Sequence, residues 1–348
     1  MTESTAAGEP LLAIDGLTVE FGTEDGVVHA VTDVSYEVYP GETVGVVGES
    51  GSGKSVSVMS LLGLIPQPPG RVTAGTATFK GRDLLSMPKK ELRELRGGEV
   101  AMVFQDPMTS LNPVLTIGDQ LGEAIRTHNP DVGDDAARQR VVDLLALVGV
   151  PNPEARVKQY PHEFSGGMRQ RAMIAMAIAN EPSLLIADEP TTALDVTIQA
   201  QIIEVLKAAQ RETHAATILI THDLGLVAEL CDRVIVMYGG RVVESGDVYT
   251  IFANPRHPYT IGLMDSLPKL VGKDEMLRPI TGQPPSLLHL PPGCSFHPRC
   301  FLSGGRLPCR TEVPPLRPIG DAAHLSACHF AEELDVRSPM RETAGGRA

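Results

Sequence analysis

Short, unbroken apolar runs alternate with longer amphipathic stretches over roughly the first 250 residues. Thr43-Val-Gly-Val-Val47, Ser183-Leu-Leu-Ile-Ala187, Thr217-Ile-Leu-Ile220 and Arg233-Val-Ile-Val-Met237 are too short for helices. Their continuous apolar character predicts strands buried on both faces, as in a parallel sheet. Residues 56–64, 134–148 and 173–180 instead repeat apolar positions at helical spacing. A turn at Gly239-Gly240 leads into a further strand, Arg241-Val-Val-Glu244. The order predicts an α/β core: strands and one helix over residues 11–106, a helix-rich segment at 107–180, then renewed strand and helix alternation to about 248. After residue 250 the pattern breaks, because Pro255, Pro258, Pro268, Pro284, Pro285, Pro291 and Pro292 leave no room for long helices. The predicted divisions are a core at 1–250 with a helical subdomain at about 107–180, an irregular extension at 251–332, and a flexible tail at 333–348.

Chemistry enters where the first strand ends. Gly48-Glu-Ser50-Gly51-Ser-Gly53-Lys54-Ser55 fits G-x-x-x-x-G-K-[ST] between a strand and a helix. Gly48, Gly51 and Gly53 let backbone close around phosphates, and the N–H groups and dipole of the following helix favour negative charge. In that setting Lys54 would reach the β- and γ-phosphates and Ser55 would hold Mg²⁺, with Ser50 and Val56 flanking the cradle. A glycine-rich turn without nucleotide is the plainer alternative. The second run ends in Asp188-Glu189-Pro190, at the strand end where ligands of open α/β sheets bind. Asp188 would contact Mg²⁺ through water and Glu189 would polarise an attacking water, although acids here also serve as ordinary helix starters.

Phe164-Ser165-Gly166-Gly167-Met168-Arg169-Gln170-Arg171 opens a helical stretch about twenty residues before those acids, which makes a second anion-favouring helix start. With this element the chain resembles the ATP-binding subunits of ABC transporters, whose L-S-G-G-Q signature matches at Ser165, Gly166 and Gly167. The resemblance implies a RecA-like P-loop NTPase core with an inserted helical subdomain, and a sandwich in which the signature of one subunit covers the γ-phosphate held by another. It further implies that Gln105 contacts Mg²⁺ and answers to the membrane subunit, that Ala193-Leu194-Asp195 is the D-loop, and that His222 is the switch histidine at the γ-phosphate. Phe21 is the candidate for stacking on adenine, with Tyr36 and Tyr39 as competitors. Met168, Phe164 and Val56 stand where the family more often has Gln, Leu and Thr. Backbone donors survive those changes, whereas a side-chain contact at the Gln position does not.

His257-Pro258-Tyr259-Thr260 and the segment from Leu290 to Cys300 resemble the tails of dipeptide and oligopeptide importer ATPases, and the likeness runs from about Leu11 to Phe330. Cys294, Cys300, Cys309 and Cys328 lie in that tail at C-x5-C-x8-C-x18-C spacing. Cytosolic thiols stay reduced, so structural disulfides are disfavoured. Zinc knuckles of C-x2-4-C type are absent, though His297, His324 and His329 are further candidate ligands. The peptide-importer tail is associated with a 4Fe-4S cluster, so iron–sulfur ligation, zinc and unligated thiols are all open, with the cluster as the first expectation. Cys231 reads as a packing residue of the core.

Composition narrows the class further. The chain has 348 residues, 42% of them hydrophobic, and a net charge of −13, which argues against a nucleic-acid partner. No stretch reads as a membrane span or a secretory signal. With one P-loop and one signature, the resemblance implies a second ATPase subunit of non-identical sequence. It also implies two transmembrane permease subunits, an extracytoplasmic substrate-binding protein acting indirectly, and a peripheral position on the cytoplasmic face of the membrane. The expectation is an Mg-ATP-driven subunit of a peptide importer. Importers of nickel or a glycoside, and a soluble ABC protein acting on ribosomes or DNA, are the alternatives.

Overall fold

The computed structural model describes residues 8–192, 194–266 and 280–334. Its strands in chain order are β1 (Leu12–Thr23), β2 (Gly26–Val38), β3 (Thr43–Val47), β4 (Gly70–Phe79), β5 (Arg82–Asp83), β6 (Val100–Val103), β7 (Leu184–Asp188), β8 (Ala216–Thr221), β9 (Arg233–Tyr238), β10 (Arg241–Asp247), β11 (Arg317–Ile319) and β12 (Asp321–Ser326). The chain divides into two compact units. One holds residues 8–12, Glu37–Thr43 and Thr78–Ile220, and the other holds Ala13–Tyr36, Val44–Ala77 and the chain from Thr221 onward.

In the first unit β6, β7 and β8 pair in parallel, with Ala187 beside Val103 on one side and Leu219 on the other. All five residues of β7 are buried, which explains its unbroken apolar spelling and lets it end on an acid. Helices Ile117–His128, Asp134–Leu147 and Val196–Thr213 pack against helix Gly166–Ala177. Leu121, Leu144, Leu145 and Ile174 are fully buried between such faces, and each contributes about 1.5–3 kcal/mol of burial free energy. Thr116 caps helix Ile117–His128 by accepting from the Asp119 N–H at 3.1 Å, and Asp195 caps helix Val196–Thr213 by accepting from the Ile198 N–H at 3.0 Å. Among the described residues five α-helices, from Pro107–Ser110 to Gly166–Ala177, lie between β6 and β7.

In the second unit most of β1, β2 and β4 form a layer in the order β2-β1-β4, while β3 pairs in parallel with β9 and β9 turns back antiparallel into β10. The extension adds strands of its own: β12 pairs antiparallel with β10, Glu244 opposite Ser326, and β11 pairs with β12. Reading the extension as irregular from its prolines missed this two-strand addition. Glu244, fully buried, accepts at Oε1 from the Arg256 N–H at 2.5 Å and contacts His324 Nε2 at 2.8 Å, tying β10 to β12 beneath the pairing.

Candidate active site

The second unit carries the Gly48–Ser55 loop, running from the end of β3 into helix Lys54–Leu61. Gly53, with φ 98°, caps that helix in the left-handed region, and a Cβ there would stand 2.3 Å from the Ala30 carbonyl oxygen; only glycine fits. Lys54 is 5% exposed and folds back along the loop, donating from Nζ to the Gly48 carbonyl at 2.8 Å and to the Glu49 carbonyl at 3.0 Å. A buried ammonium held by two neutral carbonyls inside a loop opening onto a helix start fits an incoming polyphosphate. Ser52 Oγ is buried in the same loop with no partner, a polar group awaiting one. Ser50 is exposed, while Ser55 and Val56 are partly buried at the first helical positions.

Phe21 is half-buried on β1 with its ring against Gly70. Of its competitors, Tyr36 is buried and Tyr39 donates its hydroxyl to Glu37 at 2.5 Å, so Phe21 is the more accessible ring of the two in this unit. His222 is exposed just past β8, and the next residue, Asp223, caps helix Leu224–Leu230 by accepting from the Gly225 and Leu226 N–H groups.

The first unit carries the acids. Asp188 ends β7 at 6% exposure. Glu189 follows with φ 45°, a left-handed conformation that costs a side-chain-bearing residue about 1 kcal/mol or more and is therefore held by its surroundings. Its N–H donates to the Ile220 carbonyl at 2.9 Å, and Glu189 Oε2 accepts from Gln105 Nε2 at 2.7 Å and from Thr192 Oγ1 at 2.9 Å. Thus Gln105 and Glu189, 84 positions apart in sequence, meet at the C-terminal ends of the parallel strands. Thr192 was not singled out from the sequence; a hydroxyl three residues after a strained acid is the signal that would have found it.

Ser165 caps helix Gly166–Ala177, its Oγ accepting from the Met168 N–H at 3.3 Å, with Gly166 exposed and Gly167 half-buried at the helix start. Asp195 is exposed at its own helix cap, whereas Ala193 lies outside the described residues, as does the tail from 335. A carboxylate, an amide and hydroxyls are hard oxygen donors of the kind Mg²⁺ takes.

The cysteines require a correction. Cys294, Cys300, Cys309 and Cys328 do converge, together with Phe296, Leu302 and Phe330, but on a cavity of about 10 Å³, room for a single water at most. Burial pushes every one of these thiols up, Cys300 to about 11 and Cys328 to about 12. Among the described residues no group of three or more His, Cys, Asp or Glu side chains is arranged to hold a metal ion. The expected 4Fe-4S cluster, with zinc as its alternative, is therefore withdrawn. Cys309 and Cys328 are buried, Cys328 in a cluster with Ile319 and Ala331, whereas Cys294 and Cys300 are half-buried. Cys231 is buried, pushed up to about 12, and packs against Gly45, in line with a packing role.

Comparison with known proteins agrees with this geometry. The ABC transporter family model matches residues 31–192, and the model for the C-terminal region of oligopeptide/dipeptide transporters matches residues 243–306. The chain is 51% identical to the dipeptide transport ATP-binding protein DppD of Bacillus subtilis, over 93% of this chain and 96% of that protein. It is 53% identical to its counterpart in Escherichia coli, over 92% of this chain and 96% of that protein. An ATP-binding cassette solved as a dimer in a post-hydrolysis state, bound to ADP and phosphate, superposes with a TM-score of 0.61 at 25% identity, over 68% of this chain and 98% of that one.

Proposed function

The chain belongs to the ABC transporter ATP-binding proteins of dipeptide and oligopeptide import, and we infer that it hydrolyses ATP to drive peptides inward through separate permease subunits. The observation that carries the reading is the joint presence, in one chain, of the Lys54-threaded phosphate loop and a likeness to dipeptide transport ATP-binding proteins over more than nine-tenths of its length.

Each residue then has a task. The Gly48–Gly53 backbone, with Ser50 and Gly51, receives the phosphates, and Lys54 exchanges its two carbonyl partners for phosphate oxygens. Ser55, Gln105 and Asp188 supply oxygens for Mg²⁺, which when bound screens the phosphate charge. Glu189 Oε2, released by or shared with Gln105, orients the attacking water and takes its proton. His222 stabilises charge developing at the γ-phosphate. Phe21 stacks on the base, and Val56 lies at the start of the helix after the cradle. Ser165, Gly166, Gly167 and Asp195 face the nucleotide of a second ATPase subunit, so two chains close over two ATP molecules.

As an importer ATPase the subunit works with membrane permeases and pairs with another ATPase. In the finer reading the second ATPase is non-identical, the permeases number two, and an extracytoplasmic binding protein delivers substrate. Among the described residues no helix is long and apolar enough to cross a membrane, which is in keeping with a peripheral place on the cytoplasmic face. Phe104, Met108 (61% exposed) and Val114 (75% exposed) flank Gln105 with exposed apolar surface suited to a permease contact.

Uptake of a radiolabelled dipeptide by cells lacking this gene tests the function. Uptake should be lost, restored by the wild-type chain and not by Glu189→Gln. Undiminished dipeptide uptake together with lost nickel or glycoside uptake would replace peptide with another solute.

A further inference from the structure

Glu49 places a carboxylate inside the loop read above as the phosphate cradle, where its charge would repel a polyphosphate unless something answers it. Arg299, 250 positions away in the extension, answers it with a two-pronged contact: Nη1 donates to Glu49 Oε2 at 2.6 Å and Nη2 donates to Oε1 at 3.0 Å. The Arg299 side chain is only 5% exposed. Its Nε donates to the Thr281 carbonyl at 3.0 Å, and its guanidinium lies 5.8 Å from the Tyr238 ring and 5.9 Å from the Phe296 ring. Those rings pack with Tyr259 into one buried group, with centroids 4.6–5.4 Å apart. The Glu49 backbone is also held by the extension, since its N–H donates to the Tyr259 hydroxyl at 2.7 Å. Burial keeps that hydroxyl protonated, and the carboxylate partner raises the Arg299 pKa still further, so neither group changes charge near neutrality. Carboxylate and N–H of one loop residue are therefore both committed to side chains beyond residue 250.

We propose that Arg299 is a positioning residue of the nucleotide site: its fork neutralises Glu49 and fixes the start of the phosphate loop, so the C-terminal extension sets the affinity of that loop for ATP. The proposal rests on reading Gly48–Ser55 as the phosphate cradle. An Arg at this place is not interchangeable with Lys, because only the planar fork reaches both carboxylate oxygens at once.

The test compares Mg-ATP binding by the full chain in wild type, Arg299→Ala, Arg299→Lys, Glu49→Gln, the double variant Glu49→Gln/Arg299→Ala, and Lys54→Ala, with thermal unfolding followed in parallel. Arg299→Ala should raise Kd about tenfold, more at low salt where repulsion from the bared carboxylate is unscreened. Arg299→Lys should fall between. The double variant should return to within about threefold of wild type, because Glu49→Gln removes the charge that Arg299 had neutralised. That recovery would not follow from a packing role, whose damage Glu49→Gln cannot repair. An unchanged Kd in Arg299→Ala, or a double variant as weak as Arg299→Ala, overturns the proposal. If Arg299→Ala does not fold, Arg299→Lys with and without Glu49→Gln gives the same comparison. Lys54→Ala separates the two readings: undiminished ATP binding there sinks the cradle itself, whatever Arg299 does.

Discussion

Gln105 donates its side-chain amide to Glu189 across 2.7 Å, joining a residue just past β6 to the acid that follows β7. The contact explains how Glu189 is held despite its left-handed backbone, since Thr192 completes the grip on the same oxygen. It also makes Gln105 a means of setting where the Glu189 carboxylate points: a shift of the Gln105 segment, with its exposed apolar neighbours, would move the hydrogen bond that aims it.

From this arrangement Glu189→Gln should leave Mg-ATP affinity within about threefold of wild type and slow hydrolysis by the assembled complex about 10²-fold or more, the scale of losing a general base. Gln keeps the shape and can still meet Thr192, so the loss would be chemical and not structural. Undiminished single-turnover hydrolysis would take Glu189 out of that role. Gln105→Ala should cost less, roughly tenfold in turnover, because it releases the carboxylate without removing it.

A second prediction concerns assembly. Ser165 and Gly166 are exposed at a helix start, where under the proposed function the signature would meet another chain's nucleotide. Ser165→Arg should leave ATP binding by the isolated subunit intact and abolish most ATPase activity of the complex with its partner ATPase. Equal activity of wild type and Ser165→Arg in that complex would show that the signature covers no nucleotide. The wild-type subunit by itself should turn over poorly, with activity rising on addition of the partner.

The sequence exposed the parts of the site that local backbone geometry demands. Gly53 must be glycine because Ala30 stands against it, and Asp188 must end an apolar run because β7 is buried throughout, so both left marks within a few residues of themselves. Contacts across long separations left none. Arg299 sits among prolines and cysteines without periodicity, and nothing in its neighbours names Glu49 as its partner; an acid inside a phosphate loop was the one available hint that a cation must come from elsewhere. The cysteines erred in the opposite direction. Their spacing did foretell convergence, but spacing carries no information on cavity volume or on whether burial leaves a thiol or a thiolate. Strands β11 and β12 were hidden because Pro318 interrupts one and the other is too short to show alternation.

The packing role of the cysteines has its own consequence. Cys328 clusters with Ile319 and Ala331, with Leu302 and Phe330 packed against that group, so Cys328→Ser would bury a hydroxyl among apolar groups and Cys328→Ala would remove only a small volume. Ser should therefore destabilise more than Ala, by about 1–2 kcal/mol in chemical denaturation. The reverse order would mean that the sulfur position is polar in the folded protein.

Acid lability should trace in part to His257. This residue is 1% exposed, begins helix Pro258–Asp265, and accepts at Nδ1 from the Tyr259 N–H at 3.1 Å. Burial lowers its pKa from 6.5 to about 3, so the native state keeps the ring neutral while the unfolded chain takes up a proton near 6.5. Between those values the unfolded state binds more protons, and stability therefore rises with pH across the window. The contribution is complete above about pH 6.5 and is lost as the solution is acidified toward 3, at about 1.4 kcal/mol for each unit. Protonation would also convert Nδ1 from acceptor to donor against the Tyr259 N–H, leaving the helix start uncapped. The groups around the same cavity do not mimic this: the four thiols stay neutral throughout, and His297 and His329 are present alike in the wild type and in a His257→Asn variant. His257→Asn keeps a capping oxygen and cannot titrate. Its unfolding free energy at pH 7.5 should be slightly lower than that of wild type, yet fall less between pH 6.5 and 4.5, so that the two curves converge or cross. Parallel curves over that interval would show that His257 takes up its proton as readily folded as unfolded, and the acid sensitivity would then belong to the carboxylates.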